Sequence, residues 1–326
     1  PLAWLSDGNL RHAMLFSSFL VTLGAVVRLL ASYLLPVRST ALLVLMHVSW
    51  ILNAIAGPVS MGAIVRLSQL WFPPKERALA TSIGTEANMI GVGIAFALAP
   101  AVFPNPGTAQ DAIKLWWVLA IPSLLAFLAI LVYFPAKPKF PPSESARLNR
   151  NLVILSGKRQ FWVLFNAYGL ATGIYSGWAP LLAINLKSIH MSQALAGWIG
   201  FSATIAGCVA GLGTGFVLER LRKAQWILTA LMAVSTLSFA VFAVVAGLRG
   251  AAIESGDHDA WVMSDAAIYV LVVAAAIAGA CLNSSIPAYY EAAVEAAFPL
   301  EQSFIGIMLA NANNLYCGAY LVFGSF

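Results

Sequence analysis

Charge is what this sequence most lacks. Of 326 residues, 10% are charged and 60% are apolar, whereas soluble domains carry about 25% charged residues. That imbalance excludes a single water-soluble core and points to segments threaded through lipid. Cysteine and histidine are scarce as well, with 3 and 4 copies. Cys208, Cys281 and Cys317 lie inside apolar runs, so they read as small packing residues rather than a disulfide framework. The sequence has no Gly-Lys-Ser/Thr phosphate loop, no ligand-spaced metal cluster and no nucleophile triad. Direct ATP coupling, metal hydrolysis and acyl transfer therefore find no motif. The chain reads as a non-enzyme that needs no cofactor. The net charge of +5 sits in loops at one membrane face, so it does not imply nucleic acid; the partners implied are a lipid bilayer and a small-molecule solute, with the protein acting as a monomer.

What the sequence has in abundance is long apolar runs. A helical span needs about 20 apolar residues. Nine runs qualify: 12–35, 41–70, 80–103, 115–135, 160–186, 194–218, 225–247, 266–297 and 303–326. They far exceed the roughly ten residues of a barrel strand, so the fold class is all-α and polytopic. The runs at 41–70 and 266–297 carry Gly57-Pro58 and Pro287, where kinks or tilt are expected.

Orientation follows from the basic residues. If the membrane face alternates from one loop to the next along the chain, one face holds Arg11, Arg66, Lys75, Arg77, Lys137, Lys139, Arg147, Arg150, Lys158, Arg159, Arg220, Arg222 and Lys223, which is 13 of the 18 Lys and Arg. The other holds Arg38, Lys114, Lys187 and Arg249, and Arg28 lies within a span. The bias puts the first face in the cytoplasm. The Pro-, Ser-, Lys- and Arg-rich stretch at 136–159 reads as a cytoplasmic linker between a partial N-terminal bundle, 1–135, and a partial C-terminal bundle, 160–326.

Asp7 and Arg11 at one cytoplasmic turn, and Glu219, Arg220, Arg222 and Lys223 at another, place an acid ahead of basic residues at matching positions of the two halves. Such parallel repeats are the pattern of the major facilitator fold, two six-helix bundles. More specific are Trp71-Phe-Pro-Pro-Lys-Glu-Arg-Ala-Leu-Ala-Thr-Ser-Ile-Gly84, Tyr168-Gly-Leu-Ala-Thr-Gly173 and Pro287-Ala-Tyr-Tyr-Glu-Ala-Ala-Val-Glu295. Together they resemble the feline leukaemia virus subgroup C receptor-related family, solute carrier family 49. Measured against twelve helices, the chain is expected to lack the first helix, most of the second and the last.

The resemblance implies movement of a small organic solute by alternating access, with choline- or ethanolamine-like cations as the leading cargo and haem export as an alternative. A receptor or sensor that transports nothing is a third reading. The plasma membrane is implied, with an endolysosomal membrane also possible. The family's choline-type site combines aromatic rings with glutamines on the fifth and eleventh helices. Here the seventh-helix aromatic corresponds to Tyr175. Met89, beside Asn88, stands at the fifth-helix glutamine position, and Asn313 or Asn314 at the eleventh.

Several residues are candidates on their own chemistry. Tyr168, Thr172, Tyr175 and Trp178 recur at spacings of four and three, which predicts a shared helical face. Rings so placed hold an organic cation through cation–π attraction, or form a packing stripe. Gly169, Gly173 and Gly177 predict close helix packing. Asn311, Asn313 and Asn314 need partners inside a bilayer, either a solute or a neighbouring helix. Glu86 is read as attracting a cation, carrying a proton or closing a gate near Arg77. Glu291 and Glu295 are read as latches to Arg77, Arg66 or the 220–223 cluster. Arg28 is read as a buried or snorkelling cation, and His47 as a packing histidine or a haem ligand.

Overall fold

The computed structural model describes residues 9–73, 75–102, 108–139, 152–221, 224–256 and 264–323. The described residues of the nine apolar runs are helical. In chain order the α-helices are α1 Leu10–Leu34, α2 Thr40–Trp71, α3 Arg77–Val102, α4 Ala109–Val132, the short α5 Leu152–Ser156, α6 Arg159–Tyr168, α7 Ile174–Lys187, α8 Gln193–Leu221, α9 Ala224–Ser255, α10 Asp265–Ala297 and α11 Gln302–Phe323. α6 and α7 are one run joined through a π-helical turn, Gly169–Gly173. Among the described residues, six helices are long and apolar enough to cross a membrane by length and composition. α2 and α10 each continue as a single helix through Pro58 and Pro287.

The helices start where short polar side chains satisfy the free N–H groups of a first turn. The Asn9 side chain accepts from the Arg11 amide, and Ser39 from the Leu42 amide. Thr108 and Asp111 form a reciprocal capping box on α4. The turn foreseen at Trp71–Arg77 is present: α2 stops at Trp71 and α3 begins at Arg77. Arg77 donates to the carbonyl oxygens of Phe72 and Gln69 at 3.3 and 3.2 Å, tying the start of α3 to the end of α2.

The helices gather into two compact units that interleave along the chain. One takes the described residues of 1–77, 102–153 and 298–311, and the other those of 78–101, 154–297 and 312–326. In this grouping α3 lies with the second unit, and the first half of α11 with the first.

In the first unit, α1 is the packing centre. The Ser17 hydroxyl donates to the Ala56 carbonyl at 3.1 Å, and Thr22 to that of Ser123 at 3.0 Å. Hydroxyls that reach a carbonyl on the next helix bind helices together where apolar burial cannot, since lipid is as apolar as leucine. α4 turns Leu124, Leu125, Leu128, Leu131 and Val132 outward, as a lipid-facing helix must. In the second unit, an apolar core of Leu182, Leu186, Ile199, Phe242 and Leu271 joins α7, α8, α9 and α10. α8 also receives α3, with the ring of Phe96 seated on Gly200 and the hydroxyl of Ser82 on Gly215.

Candidate solute site

The polar residues of the second unit converge on a stripe of α8 where side chains are missing. Gly207, Gly211 and Gly215 recur every fourth residue, so they stack along one face of the helix. Asn283 of α10 enters at Gly207, where a Cβ would lie 2.5 Å from its Nδ2. Glu86 of α3 enters at Gly211, its carboxylate lying in the space that a Cβ there would need. The Cys208 thiol, between the two glycines, donates to the Glu86 carbonyl oxygen at 3.8 Å. From α7, the Tyr175 hydroxyl faces the side chains of Thr204 and Asn283. Five polar side chains from four helices thus share one buried region of the bilayer-embedded unit.

This region is under-bonded. Glu86 and Asn283 are each 2% exposed. Among the described residues, the Asn283 amide nitrogen has no hydrogen-bond partner, and the Glu86 carboxylate has none beyond the neighbouring Cys208 thiol. Buried polar groups are ordinarily satisfied, so such a concentration points to a functional demand on the region.

α3 presents three distinct faces. Ser82, Thr85, Glu86, Met89, Gly93 and Phe96 occupy about a third of its circumference, on the side of α8. Ile83, Ile90, Ile94 and Leu98 are exposed and purely apolar, a lipid face. Asn88 lies roughly opposite Glu86, two residues at about 100° each, and is exposed with Gly91 and Ala95, while Gly84 on the same line is half-buried.

The aromatic candidates divide. Tyr175 is half-buried, with its ring 6.1 Å from that of Phe239 and 6.1 Å from that of Trp178. Trp178 is itself packed on Phe239 and Phe242, at 5.5 and 5.6 Å, inside the apolar core. Tyr168 is buried against Tyr289 and Tyr290 of α10, at 5.5 and 5.8 Å. The four positions expected to share a face do not do so. The π-helical turn at Gly169–Gly173 takes one extra residue, which rotates all that follows by about 100° relative to Tyr168. The glycines bring α11 close: Tyr316 sits over Gly169, and Tyr320 over Gly177. Asn313 accepts from the Ser176 hydroxyl at 3.2 Å, so it has an interhelical partner. Asn311 and Asn314 are exposed.

The expected gate residues have varied placements. Asp7 and the Glu219 side chain lie outside the described residues, as do Arg222 and Lys223. Arg11 donates to the Leu131 carbonyl at 2.9 Å, and Arg220 is exposed. Arg66 does have an acid partner, but it is Glu301, at 3.8 Å. Glu291 and Glu295 are exposed on α10, and Glu295 has no ion pair among the described residues. His47 is exposed and uses Nδ1 on the Leu43 carbonyl of its own helix. Arg28 is 3% exposed, with its guanidinium 4.2 Å from the Trp50 ring centre and 4.8 Å from that of Trp116.

Thr204, Cys208 and Asn283 escape a reading by isolated motifs. Two signals do mark the place: the four-residue glycine spacing on α8, and the polar run Asn283-Ser284-Ser285 inside an otherwise apolar helix.

Comparison with known proteins agrees with this architecture. The model of the Major Facilitator Superfamily matches residues 1–309. The chain is 31% identical to the solute carrier family 49 member 4 homolog of Xenopus laevis, over 98% of this chain and 72% of that protein. It is 25% identical to the human choline/ethanolamine transporter FLVCR2, over 92% of this chain and 56% of that protein. Among solved structures, the Escherichia coli fucose:proton symporter FucP matches with a TM-score of 0.64 at 13% identity, covering 100% of this chain and 79% of that one. A bacterial homologue of the iron transporter ferroportin, in an outward-facing state, matches with a TM-score of 0.61 at 15% identity, covering 98% and 76%; both show likeness of fold. A helical membrane chain so matched along its length belongs to the Major Facilitator Superfamily of transporters and, within it, to solute carrier family 49.

Proposed function

We propose that the solute is a small organic cation of the choline or ethanolamine type, moved by alternating access. The observation that carries this reading is the setting of Tyr175. Its ring is braced by Phe239 and Trp178, while its hydroxyl turns toward Thr204 and Asn283. A braced aromatic ring with polar groups beside it suits a ligand that is cationic at one end and hydroxylated at the other. The ring face attracts the ammonium by about 2 kcal/mol when water is excluded, and an amide receives the hydroxyl. Asn88, Met89, Asn313 and Asn314 are further candidate contacts, with Met89 on the α8 face of α3 and Asn88 on another face, and Trp178 acts through its support of Tyr175. The choline/ethanolamine transporters among the relatives add weight to this class of cargo.

In the cycle, the ion pair Arg66–Glu301, Arg77 at the head of α3, and Glu291 and Glu295 on α10 serve as polar contacts on the cytoplasmic side. Polar contacts suit a gate because water replaces them at little cost when they part.

The test is counterflow of radiolabelled choline into proteoliposomes preloaded with unlabelled choline or ethanolamine. Label entering the loaded vesicles against its gradient is the expected result. The substrate class fails if entry matches protein-free vesicles while the purified protein remains folded and monodisperse.

A further inference from the structure

Arg28 brings a charge into the first unit without an acid to meet it. It is buried where α1, α2 and α4 come together. The two faces of its guanidinium lie under the rings of Trp50 and Trp116. Its Nε donates to the Ser49 hydroxyl at 3.1 Å, and that hydroxyl is fixed in turn on the Met46 carbonyl at 2.9 Å. Among the described residues, the two Nη groups have no hydrogen-bond partner, and no acid stands within ion-pair distance. Asp111 of the neighbouring α4 is already engaged by Lys114 and Thr108. A buried cation without a counterion is strongly disfavoured, and attraction to the two rings offsets only part of that cost.

The sandwich limits what can complete it. With a ring on each face, only the in-plane edge of the guanidinium remains for a ligand. The Nη groups aim their N–H bonds along that edge, in the fork that matches two oxygens of one phosphate or carboxylate. Position indicates the source of the oxyanion. Arg28 stands six residues from the Leu34 end of α1, about 9 Å at 1.5 Å per residue. The 25 residues of α1 extend for about 37 Å, against a hydrocarbon layer of about 30 Å. Aromatic side chains mark this end of the helices. Trp50 is exposed, and the exposed Trp117 donates to the hydroxyl of the exposed Tyr33 at 3.0 Å. Trp and Tyr gather at headgroup depth. A bilayer also thins around an embedded arginine, which brings headgroups to it.

We propose that the Nη edge of Arg28 binds a phosphate oxyanion, carried by the headgroup of an anionic phospholipid in the leaflet at the Leu34 end of α1. The phosphate is the counterion that the chain itself does not supply there. It accepts from the two Nη groups while Trp50 and Trp116 keep water from the guanidinium faces. Bound in this way, the lipid pins together the three helices that contribute Arg28, Ser49, Trp50 and Trp116. All four residues belong to the first unit, whereas the solute candidates belong to the second. The proposal therefore does not depend on the identity of the solute.

Native mass spectrometry of the whole chain in detergent tests it, with dioleoyl-phosphatidylglycerol and inorganic phosphate titrated separately. Wild type should bind the lipid, and Arg28→Met should bind it about tenfold more weakly, as expected for loss of charge-assisted hydrogen bonds. Arg38→Met, which removes an exposed cation from the turn after α1, should bind as wild type does. The proposal is overturned if Arg28→Met binds the lipid as tightly as wild type, or if Arg38→Met loses as much, which would make the effect one of general surface charge. It is overturned as a lipid site if inorganic phosphate binds as tightly as the lipid and in the same Arg28-dependent way. Should Arg28→Met fail to fold, wild type decides alone through phosphatidylglycerol carrying a photoreactive diazirine on its headgroup. Attachment within 28–33, 46–50 or 113–117 sustains the site, and attachment confined to other segments overturns it.

Discussion

The carboxylate of Glu86 rests against the bare backbone of Gly211, in the volume that any other residue at that position would fill. The two positions are therefore coupled through space as well as through chemistry. Gly211→Ala should force the acid out of its seat and cost about 1–3 kcal/mol, the usual penalty for an extra methyl in a packed interior. Glu86→Ala removes the obstruction, so the double variant should be less destabilised than the sum of the two singles. Thermal unfolding of the four proteins of this double-mutant cycle checks the expectation. Strict additivity would mean that the contact carries no energy.

Arg28 is held by aromatic faces rather than by an acid. Its guanidinium lies between Trp50 and Trp116, and its Nε donates to the Ser49 hydroxyl at 3.1 Å. Cation–π attraction of about 0.5–2 kcal/mol per ring offsets part of the cost of its burial. Because planarity is what the sandwich uses, Arg28→Lys should destabilise the protein even though the charge is kept. Arg28→Met, apolar and of similar length, should be better tolerated than Arg28→Lys. A melting series in one detergent measures the order, and a lysine variant equal to wild type would refute it.

At the start of α11, Glu301 does two things. Its carbonyl accepts the Ile305 amide at 3.1 Å, and its carboxylate lies 3.8 Å from Arg66. An acid at a helix N-terminus is favourable by about 0.3–1 kcal/mol, and a partly exposed ion pair adds up to about 1 kcal/mol. Glu301→Gln should therefore lower the melting temperature, with a deficit that shrinks as salt is raised. A deficit of unchanged size at high salt would point to packing instead.

The sequence is legible where one physical rule dominates. The helical runs and their approximate bounds follow from run length, because a bilayer leaves the backbone little choice. The stop at Trp71 and restart at Arg77 follow from proline geometry. The packing partners are less legible. Nothing local announces that α3 leaves its chain neighbours for α8, and Gly200, Gly207 and Gly211 acquire meaning only beside Phe96, Asn283 and Glu86. The rotation that parts Tyr168 from Tyr175 is hidden for a related reason. A π turn is sustained by the close fit of Tyr316 on Gly169 and of the Asn313 carbonyl on Gly173, 2.6 Å from where a Cβ would stand, and helical periodicity assumes that no such turn exists. From sequence, Trp178 reads as a cage wall or, more readily, as a packing or interface residue. Its contacts with Phe239 and Phe242 place it in the core.

Tyr175 separates the solute's attraction to a ring from its attraction to a hydroxyl. Tyr175→Phe keeps the braced ring beside Phe239 and removes only the group that faces Thr204 and Asn283. For choline, most of the affinity should survive that change, with KM for counterflow raised a few-fold. Tyr175→Leu keeps apolar bulk but has no π face, and the loss of about 2 kcal/mol corresponds to roughly 30-fold weaker binding. The ratio between the two variants is the informative quantity, since each alone also reports on packing. A neutral, equally sized hydroxylated solute supplies the control, because the leucine variant should discriminate against the cation and spare the neutral compound. Equal losses for both solutes would mean that Tyr175 shapes the cavity without recognising charge.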